Sequence, residues 1–583
     1  MAESIISPGV FSRENDISFI QPQPIAAGAA FLGPTVKGPV NQPTVITSYN
    51  EYVRKFGDTF LSASKSYEFL TSIAVKNYFS NGGQTALVTR IVSGTYEPAV
   101  NTHLSGSSVG PYTGSQPFEL KTLGTGVTYN NAINTTSAVA GAASYINSDG
   151  SLVSGSKDNV RWEVANVNSG SGTFTLLVRQ GNDSTNNKTI LETFNVDLDP
   201  NSANYIERVV GNQFIVSNRV VGEYPNRSNY IRVSAVNLPT PNYLKTDGIN
   251  IGVDSSNISY SASLPHSGSG SFWNASGDVK GGATFFGGIA NNSANIQGLV
   301  AANYNTAIAI LENPDDFQFN ILSAPGMIHS NTAVGKVVNE SLVSLAETRG
   351  DCIAIVDLVA TGSIASDAVT EAKKFNSSYA ATYWPWVQVG TATGKNEYVP
   401  AGTMIPGVFA FTDASSAPWF APAGLVRGGI GGVIQAEKRL TKDERDTLYA
   451  GKVNPIASFP GTGISVFGQK TLQTKASALD RVNVRRLLIE LKKFIGDQAR
   501  NLVFEQNTIA TRNRFLATVN PYLESVIQRQ GLYAYRVVMD DTNNTADVVD
   551  RNQLIGQIYI QPAKTIEFVV LDFTIEPTGA TFA

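Results

Sequence analysis

The sequence predicts a multidomain protein of mixed α/β and α+β class. We expect an α/β core with an inserted all-β domain, then a C-terminal α+β domain, with an extended arm at each end of the chain. Three observations predict this class. The chain has 583 residues, more than one hydrophobic core usually organises. Apolar strands alternate with amphipathic helices in residues 283–418, a pattern typical of a parallel sheet. Residues 94–282 are instead rich in Ser, Gly, Asn and Thr, with short alternating apolar runs that favour strands.

The composition favours surfaces that are polar but weakly charged. Only 15% of the residues are charged and the formal net charge is −4, so we expect no general binding of nucleic acid. The single cysteine, Cys352, cannot form an internal disulfide and fits a reducing compartment. The sequence contains no apolar run of about 18 residues, so no membrane insertion is expected. The N-terminal residues lack the pattern of a signal peptide.

The core is expected to begin after a short arm. Residues 1–20 hold scattered apolar side chains, which favours an N-terminal arm. Residues 21–93 predict the first core segment, with two short strands in AAFLGPTVKGPVNQPTVI, helices in SYNEYVRKFG and SKSYEFLTSIAVKNYFSNGG, and a strand in TALVTRIV. The second helix is predicted because apolar residues recur at helical spacing, namely Tyr67, Leu70, Ile73, Ala74 and Tyr78.

The middle of the chain predicts two different domains. Residues 94–282 predict a protruding all-β insertion, with strands in RWEVANV, GTFTLLVRQ, TFNVDL, QFIVSNRVV and YIRVSAV. Residues 283–418 predict the α/β core domain. Its strands are expected in FNILSAPG, CIAIVDLVA and YAATYWPWVQV, with helices in NTAVGKVVNESLVSLAETRG and SDAVTEAKKF, and its sheet is expected to be parallel.

The last part of the chain predicts a separate α+β domain, residues 419–563, and an arm strand, residues 564–583. Two helices are expected in SALDRVNVRRLLIELKKFIG and RNLVFEQNTIATRNRFLATVNPYLESVIQRQ. LYAYRVVMD and QLIGQIYIQPA predict a hairpin across a turn at Asn543-Asn544. TIEFVVLDFTI predicts the final strand.

Enzymatic motifs in the sequence are incomplete. The stretch APAGLVRGGIGGV surrounds Arg427 with glycines but lacks the preceding strand of a dinucleotide-binding fingerprint. Residues 390–396 are one residue short of a P-loop, and G-x-S-x-G at 106–110 lacks the strand–helix frame of a nucleophile elbow. The histidines lie far apart and join no cysteine cluster: His103, His266 and His329. We therefore expect no catalytic, cofactor-binding or metal-binding residues.

The glycines around Arg427 are instead expected to form a structural turn. Glycine permits tight turns and close packing of the backbone. Arg427 would then be held by carbonyl groups or by a carboxylate. The residues assigned to this turn are Gly424, Arg427, Gly428 and Gly429.

The C-terminal block resembles the contractile bacteriophage tail sheath proteins. The resemblance is carried by WFAPAGLVRGGI, LDRVNVRRLL and DTNNTADVVDRNQLIGQIYIQPAKTIEFVVLDF, which lie within residues 419–573. Near the N-terminus, SPGV, GPTVKGPVNQPTVI and YVRKFG are similar to the start of the same family. The β insertion has no such resemblance.

This resemblance implies a structural protein and no enzyme. Sheath subunits stack as hexameric rings around a tail tube and rearrange into a shorter, wider helix that drives the tube through the host envelope without consuming nucleotide. The implied partners are other copies of the chain, the tail tube protein, the baseplate and the tail terminator or neck proteins. The implied location is the virion tail, assembled in the bacterial host cytoplasm. A tail-derived bacteriocin or another contractile injection system is the alternative, and an α/β enzyme with a β-sandwich binding insertion is a remote one.

The helix predicted over residues 479–495 carries a basic arc beside its apolar face. At about 100° per residue the apolar face comprises Val484, Leu487, Leu488, Leu491, Phe494 and Ile495. The neighbouring arc comprises Arg481, Arg485, Arg486, Lys492 and Lys493. Because the family's C-terminal domain lines the inner surface of the sheath, the resemblance implies that this arc contacts the tail tube. A solvated basic face is the alternative.

Both chain ends are expected to pair with neighbouring subunits. An exposed apolar edge strand would promote aggregation, and sheath arms add strands to the sheets of neighbouring subunits. The residues assigned to these arms are Val10, Phe11, Ile17, Phe19, Ile566, Phe568, Val570, Leu571, Phe573 and Ile575. For residues 564–575, a terminal strand in the sheet of its own domain is the alternative.

Overall fold

The computed structural model describes residues 27–62, 64–101, 116–131, 147–216, 219–244, 263–279, 296–459, 461 and 463–568. The N-terminal arm predicted at residues 1–20 therefore lies outside the described residues. The predicted C-terminal arm is described only at residues 564–568.

The first core segment contains a hairpin where a longer helix was expected. Its elements are β1 (Ala27–Gly33), β2 (Thr44–Ile46), α1 (Tyr49–Phe56), β3 (Thr59–Ser62), β4 (Lys65–Glu68), α2 (Leu70–Ser80) and β5 (Ala86–Arg90). The predicted helix that included Tyr67 is wrong at its start, because residues 65–68 pair with residues 59–62 as an antiparallel hairpin. Phe60 and Tyr67 stack across this hairpin with ring centroids 5.6 Å apart. The spacing of apolar residues in the sequence fits the face of a helix as well as it fits this hairpin, so it could not distinguish the two.

In its described residues, the insertion contains two antiparallel four-stranded sheets and the two-stranded pair β11-β12. Its elements are β6 (Pro98–Asn101), β7 (Phe118–Thr125), β8 (Val160–Asn168), β9 (Thr173–Gln180), β10 (Ile190–Asp197), α3 (Ile206–Val210), β11 (Phe214–Val216), β12 (Arg219–Val221), β13 (Ile231–Val236), β14 (Gly268–Gly270) and β15 (Phe272–Trp273). The strand orders are β10-β9-β8-β14 and β13-β7-β6-β15. Phe118 from one sheet packs against Trp162 and Phe174 from the other, so the two sheets share one apolar core. The short helix α3 departs from the predicted all-β pattern.

The central part completes the core. Its elements are α4 (Ala301–Ile310), β16 (Phe319–Ile328), α5 (Gly335–Arg349), β17 (Ile353–Asp357), α6 (Ala365–Ala372), β18 (Ala380–Trp384), β19 (Val387–Gly390), β20 (Asn396–Val399), α7 (Ile405–Ser415), α8 (Gly424–Arg427), β21 (Val433–Ala436), α9 (Lys442–Ala450), β22 (Asn454–Phe459) and β23 (Gly463–Val466). One eight-stranded sheet has the order β2-β5-β1-β16-β17-β18-β22-β23. Its central pairs are parallel, as the apolar strands predicted.

The domain boundary predicted at residue 419 is wrong. β22 pairs in parallel with β18, and β23 pairs antiparallel with β22, so both strands belong to the core sheet. The amide of Leu472 still donates to the carbonyl of Ala380, at 2.9 Å. The core therefore continues to residue 472. The composition marks neither strand, because β22 joins the sheet by pairing with residues about 70 positions earlier and β23 follows as its hairpin partner.

The C-terminal domain consists of two long helices and a strand pair. Its elements are α10 (Val482–Arg500), α11 (Ile509–Gln528), β24 (Leu532–Val538), α12 (Ala546–Asp550) and β25 (Gln557–Pro562). β24 and β25 pair antiparallel as predicted, and their connection contains a turn at Asn543-Asn544 followed by α12. Trp419, Leu487, Phe515 and Leu523 belong to its apolar cluster. Among the described residues, no helix combines the length and apolar character needed to cross a membrane.

Candidate functional site at the junction of the two domains

The first half of α10 is the element that joins the core to the C-terminal domain. Val482 and Ile489 belong to the apolar cluster of the core, whereas Leu487 and Leu491 belong to the C-terminal cluster. Apolar side chains therefore contact both domains from one helix. We call this contact of α10 with the core the junction.

Two arginines of the predicted basic arc are buried in the junction. Arg486 donates to both carboxylate oxygens of Asp413, at 2.7 and 2.5 Å, and its guanidinium lies 4.7 Å from the ring centroid of Phe409. The Arg485 guanidinium lies 4.0 Å from the ring centroid of Tyr379. The predicted tube contact is therefore wrong for Arg485 and Arg486, because the core covers this part of the helix.

The other three members of the arc have different surroundings. Arg481 precedes α10 and donates to the carboxylate of Glu567, with Nε 2.6 Å from Oε1. Lys492 is exposed, and its Nζ lies 3.3 Å from the hydroxyl of Tyr379. Lys493 is partly exposed. The structure thus separates an arc that looked continuous on a helical wheel into a buried part and an accessible part.

Sequence reasoning missed the partners of these arginines. Asp413 lies in the last turn of α7, and Tyr379 precedes β18, so both are remote from α10 in the chain. Glu567 is the one partner that the sequence could have indicated, because it is the single acidic residue within the apolar run TIEFVVL. A lone acid in an apolar strand calls for a buried counter-charge.

The C-terminal segment leaves the junction with its apolar side chains exposed. Ile566 and Phe568 are 85% and 78% exposed. The other residues assigned to the arms lie outside the described residues: Val10, Phe11, Ile17, Phe19, Val570, Leu571, Phe573 and Ile575. Only the start of one predicted arm is therefore visible, and that start is attached to the junction through Glu567.

The glycine-rich stretch lies along the edge of the core sheet. Gly424 and Arg427 are the first and last residues of the short helix α8. The carbonyl of Gly428 accepts from the amide of Val466 at 2.7 Å, and Gly429 forms a bridge with Ser465. Arg427 donates from Nε to the carbonyl of Ala421 at 3.4 Å and lies over the ring of Phe420. These residues thus connect α8 to β23.

The carboxyl edge of the parallel sheet is where α/β enzymes usually bind ligands. Asp357 lies there at the end of β17, and its Oδ1 accepts from the amide of Gly402 at 2.8 Å. Burial raises the pKa of Asp357 to about 7, although the hydrogen bond from Gly402 opposes the shift. The cavity beside it, which Thr382 and Trp386 help to line, leaves no space for a water molecule. This cavity cannot admit a substrate.

The remaining candidate motifs, where the structure describes them, do not form a catalytic or metal-binding arrangement. Residues 390–396 form the turn between β19 and β20. The G-x-S-x-G stretch at 106–110 and His103 lie outside the described residues. His329 is buried, and its Nδ1 lies 2.6 Å from Glu371. Across the described ranges, no group of His, Cys, Asp and Glu has the arrangement of a metal site.

Comparison with known proteins finds two family matches in the second half of the chain. Residues 297–472 match the phage tail sheath protein central domain, and residues 474–576 match the phage tail sheath C-terminal domain. The boundary between the two matches agrees with the end of the core observed in the structure.

Relatives and a solved structure agree with these matches. The tail sheath protein of Vibrio phage KVP40 is 33% identical over 328 residues, which cover 52% of this chain and 48% of the relative. That of Enterobacteria phage T4 is 32% identical over 318 residues, or 51% of this chain and 48% of the relative. The chain thus spans about half the length of these relatives. In fold, the crystal structure of a sheath tail protein from Listeria innocua is similar with a TM-score of 0.51 and 11% identity, covering 92% of this chain and 95% of that one. Residues 297–576 of this chain are thus similar to the central and C-terminal domains of phage tail sheath proteins.

Proposed function

We propose that the chain is a structural subunit of a contractile tail sheath. It polymerises as stacked rings around a tail tube and contracts to drive the tube through a host cell envelope. The observation that carries this proposal is the pair of adjoining matches to the central and C-terminal sheath domains. The junction supports it, because one helix with a buried arginine paired to an aspartate couples the core sheet to the C-terminal cluster. A subunit that transmits force between its domains needs such a coupling.

Neighbouring subunits are linked, in this proposal, by strands added to β24 and β25. Within the described residues these two strands pair only with each other, and Tyr533 and Tyr559 are exposed on them. Open strand edges favour addition of an extended segment from another chain. A strand such as that predicted at residues 565–575 would form on the order of ten ladder hydrogen bonds, each contributing about 0.5–1.5 kcal/mol. Such a link would survive a transition that breaks single ion pairs.

The other partners follow from the same proposal. The tail tube, the baseplate and the terminator or neck proteins would contact the assembled sheath in the virion tail, and assembly would occur in the bacterial cytoplasm. Of the basic arc, Lys492 and Lys493 are the residues accessible for an acidic tube surface. The insertion, with its own apolar core, would protrude from the sheath.

Electron microscopy of the purified chain tests this function. We expect tubes or sheet-like polymers that form equally well with and without ATP, because polymerisation derives from strand pairing and packing. Deletion of residues 1–19, or of residues 564–583, should leave a folded monomer that does not polymerise. A chain that stays monomeric at high concentration, or polymerises only with ATP, would contradict the proposal. Circular dichroism of each deletion variant controls for folding.

A further inference from the structure

The start of the C-terminal segment is bound through one carboxylate. Glu567 accepts from Arg481 Nε at 2.6 Å and from Arg481 Nη2 at 2.9 Å. It also accepts from the hydroxyl of Tyr449 at 2.7 Å and from Gln469 Nε2 at 3.1 Å. Four donors use the full acceptor capacity of a carboxylate, and the two-pronged guanidinium contact is the strongest kind available to it. We call Glu567 and its three partners the Glu567 anchor.

The Glu567 anchor connects both domains. Tyr449 lies in α9 and Gln469 follows β23, so both belong to the core. Arg481 and Glu567 belong to the C-terminal domain. The amide of Ala563 still donates to the carbonyl of Gly531 beside β24, at 3.0 Å. The few residues between Ala563 and Glu567 therefore cross from the strand pair back to the core.

The side chains of this segment alternate between the core and solvent. Gln469 Nε2 donates to the hydroxyl of Thr565 as well as to Glu567, so Thr565 and Glu567 face the core. Ile566 and Phe568, in contrast, are exposed. A period of two is that of an extended chain. A shift by one residue would turn the apolar side chains toward the polar donors and expose the carboxylate.

We infer that the Glu567 anchor sets the register and the starting point of the C-terminal segment, so that Ile566 and Phe568 face a second copy of this chain. This inference rests on the proposed function, because it assumes that the segment contacts a neighbouring subunit. It adds that the segment is first fixed to its own core. The contacts of the Glu567 carboxylate hold Thr565 and Glu567 against the core, and Ile566 and Phe568 therefore face outward.

Glu567 stays ionised in the folded chain, which keeps its contacts with Arg481 in place. Burial alone would raise the pKa of Glu567, but hydrogen bonds from Arg481, Tyr449 and Gln469 outweigh it and hold the pKa below its usual range. The carboxylate is therefore ionised at neutral pH. Asp480 accepts from Arg481 at 2.8 Å, and Lys452 lies 3.8 Å from Asp480, so the surrounding charges are paired.

Trypsin cleavage after Lys564 in the full-length monomer tests the anchor. Intact mass spectrometry would follow the loss of residues 565–583. We expect Glu567→Gln to accelerate this cleavage about tenfold, since it removes the charge that binds Arg481, and Tyr449→Phe to accelerate it less. Glu505→Gln is the matched control, because Glu505 forms an exposed ion pair with Arg514 at 3.6 Å. Cleavage of Glu567→Gln at the wild-type rate would overturn the inference.

Thiol labelling tests the register. The native Cys352 is the single cysteine and is buried, so an introduced cysteine reports its own exposure. We expect Phe568→Cys to react with a maleimide about tenfold faster than Thr565→Cys, and this difference to disappear when Glu567→Gln is added. Equal labelling of both positions without Glu567→Gln would refute a fixed register. If the wild-type chain never polymerises yet Glu567→Gln alters cleavage and labelling, the proposed function fails while the anchor itself stands.

Discussion

The junction depends unequally on the two members of its buried ion pair. The Arg486 side chain is 3% exposed, whereas that of Asp413 is 31% exposed. Water can therefore solvate Asp413 if Arg486 is lost, but it cannot reach Arg486 if Asp413 is lost. The cost of breaking a buried pair arises mainly from the charge that is left without a partner.

We therefore predict that Asp413→Asn destabilises the protein more than Arg486→Met does. Asp413→Asn leaves a buried guanidinium without its counter-charge and should cost about 3 kcal/mol. Arg486→Met fills the space with apolar atoms and should cost about 1 kcal/mol. Chemical unfolding followed by circular dichroism gives both values. Lys493→Met, on the same helix, is the control and should have little effect. A larger loss for Arg486→Met would contradict this account.

Asp357 makes the stability of the core decrease as the pH rises. Its pKa is raised from the ordinary 3.8 to about 7 in the folded chain, first of all by burial. Between these two values the folded state binds more protons than the unfolded state. The protonated Asp357 therefore contributes to the stability of the folded state at low pH, and this contribution is lost as the pH rises toward 7.

Asp357→Asn should remove that dependence. We expect the variant to be more stable than the wild type at pH 8, by on the order of 2–4 kcal/mol, and similar to it near pH 4. Trp384 and Trp386 line the cavity beside Asp357, so tryptophan fluorescence during urea unfolding should report on this region. The same difference in stability at both pH values would show that the carboxyl group does not titrate as described.

At the level of elements, the glycine-rich stretch lies against the edge strand β23, and the two backbones are in close contact there. A Cβ atom on Gly428 would lie 2.6 Å from the carbonyl oxygens of both Gly424 and Val466. A Cβ atom on Gly429 would meet no atom within 4 Å. Only one of these adjacent glycines is therefore required by close packing.

Gly428→Ala should accordingly disrupt the contact between α8 and β23, while Gly429→Ala should be tolerated. We expect a loss of about 2 kcal/mol or more for the first variant, because neither carbonyl can move freely. For the second we expect a change within about 0.5 kcal/mol. Thermal unfolding of the two variants measures the difference. Equal stability would mean that the backbone at residue 428 relaxes without cost.

At the scale of the whole molecule, the insertion has its own core but contacts the main body at its base. The amide of Glu97 donates to the carbonyl of Ser276 at 3.1 Å, so the first and last described parts of the insertion lie side by side. Asp158 of the insertion binds the buried Lys37 with Oδ1 3.2 Å from Nζ. Arg90 Nη1 donates to the carbonyl of Thr125 at 2.8 Å.

Replacement of residues 98–275 by a short Gly/Ser linker should preserve polymerisation. The neighbouring positions of Glu97 and Ser276 let a few residues close the gap without strain. The core should lose about 1–2 kcal/mol, since Arg90 loses its acceptor at Thr125. Negative-stain microscopy and thermal unfolding of the variant measure both effects. A truncated chain that folds but forms no polymer would make the insertion part of the lattice.

Local sequence patterns are enough to predict the order and type of most elements. The parallel strands between residues 319 and 384 follow from continuous apolar runs. The strands of the insertion and the two long C-terminal helices follow from apolar periodicity. Periodicity is a local property, because each helix or strand presents its own face at a fixed spacing. The resemblance to tail sheath proteins was likewise readable from short stretches of residues.

Which of those faces are covered depends on contacts between elements that are distant in the chain. Arg485 and Arg486 look like surface charges on a helical wheel, but the core covers them. Glu567 finds its donors at residues 449, 469 and 481, and β22 finds its partner at β18. These contacts join residues that are distant in the chain, so no local spacing encodes them. They form because burying a charge or a strand edge requires a partner, and the fold determines which partner lies within reach.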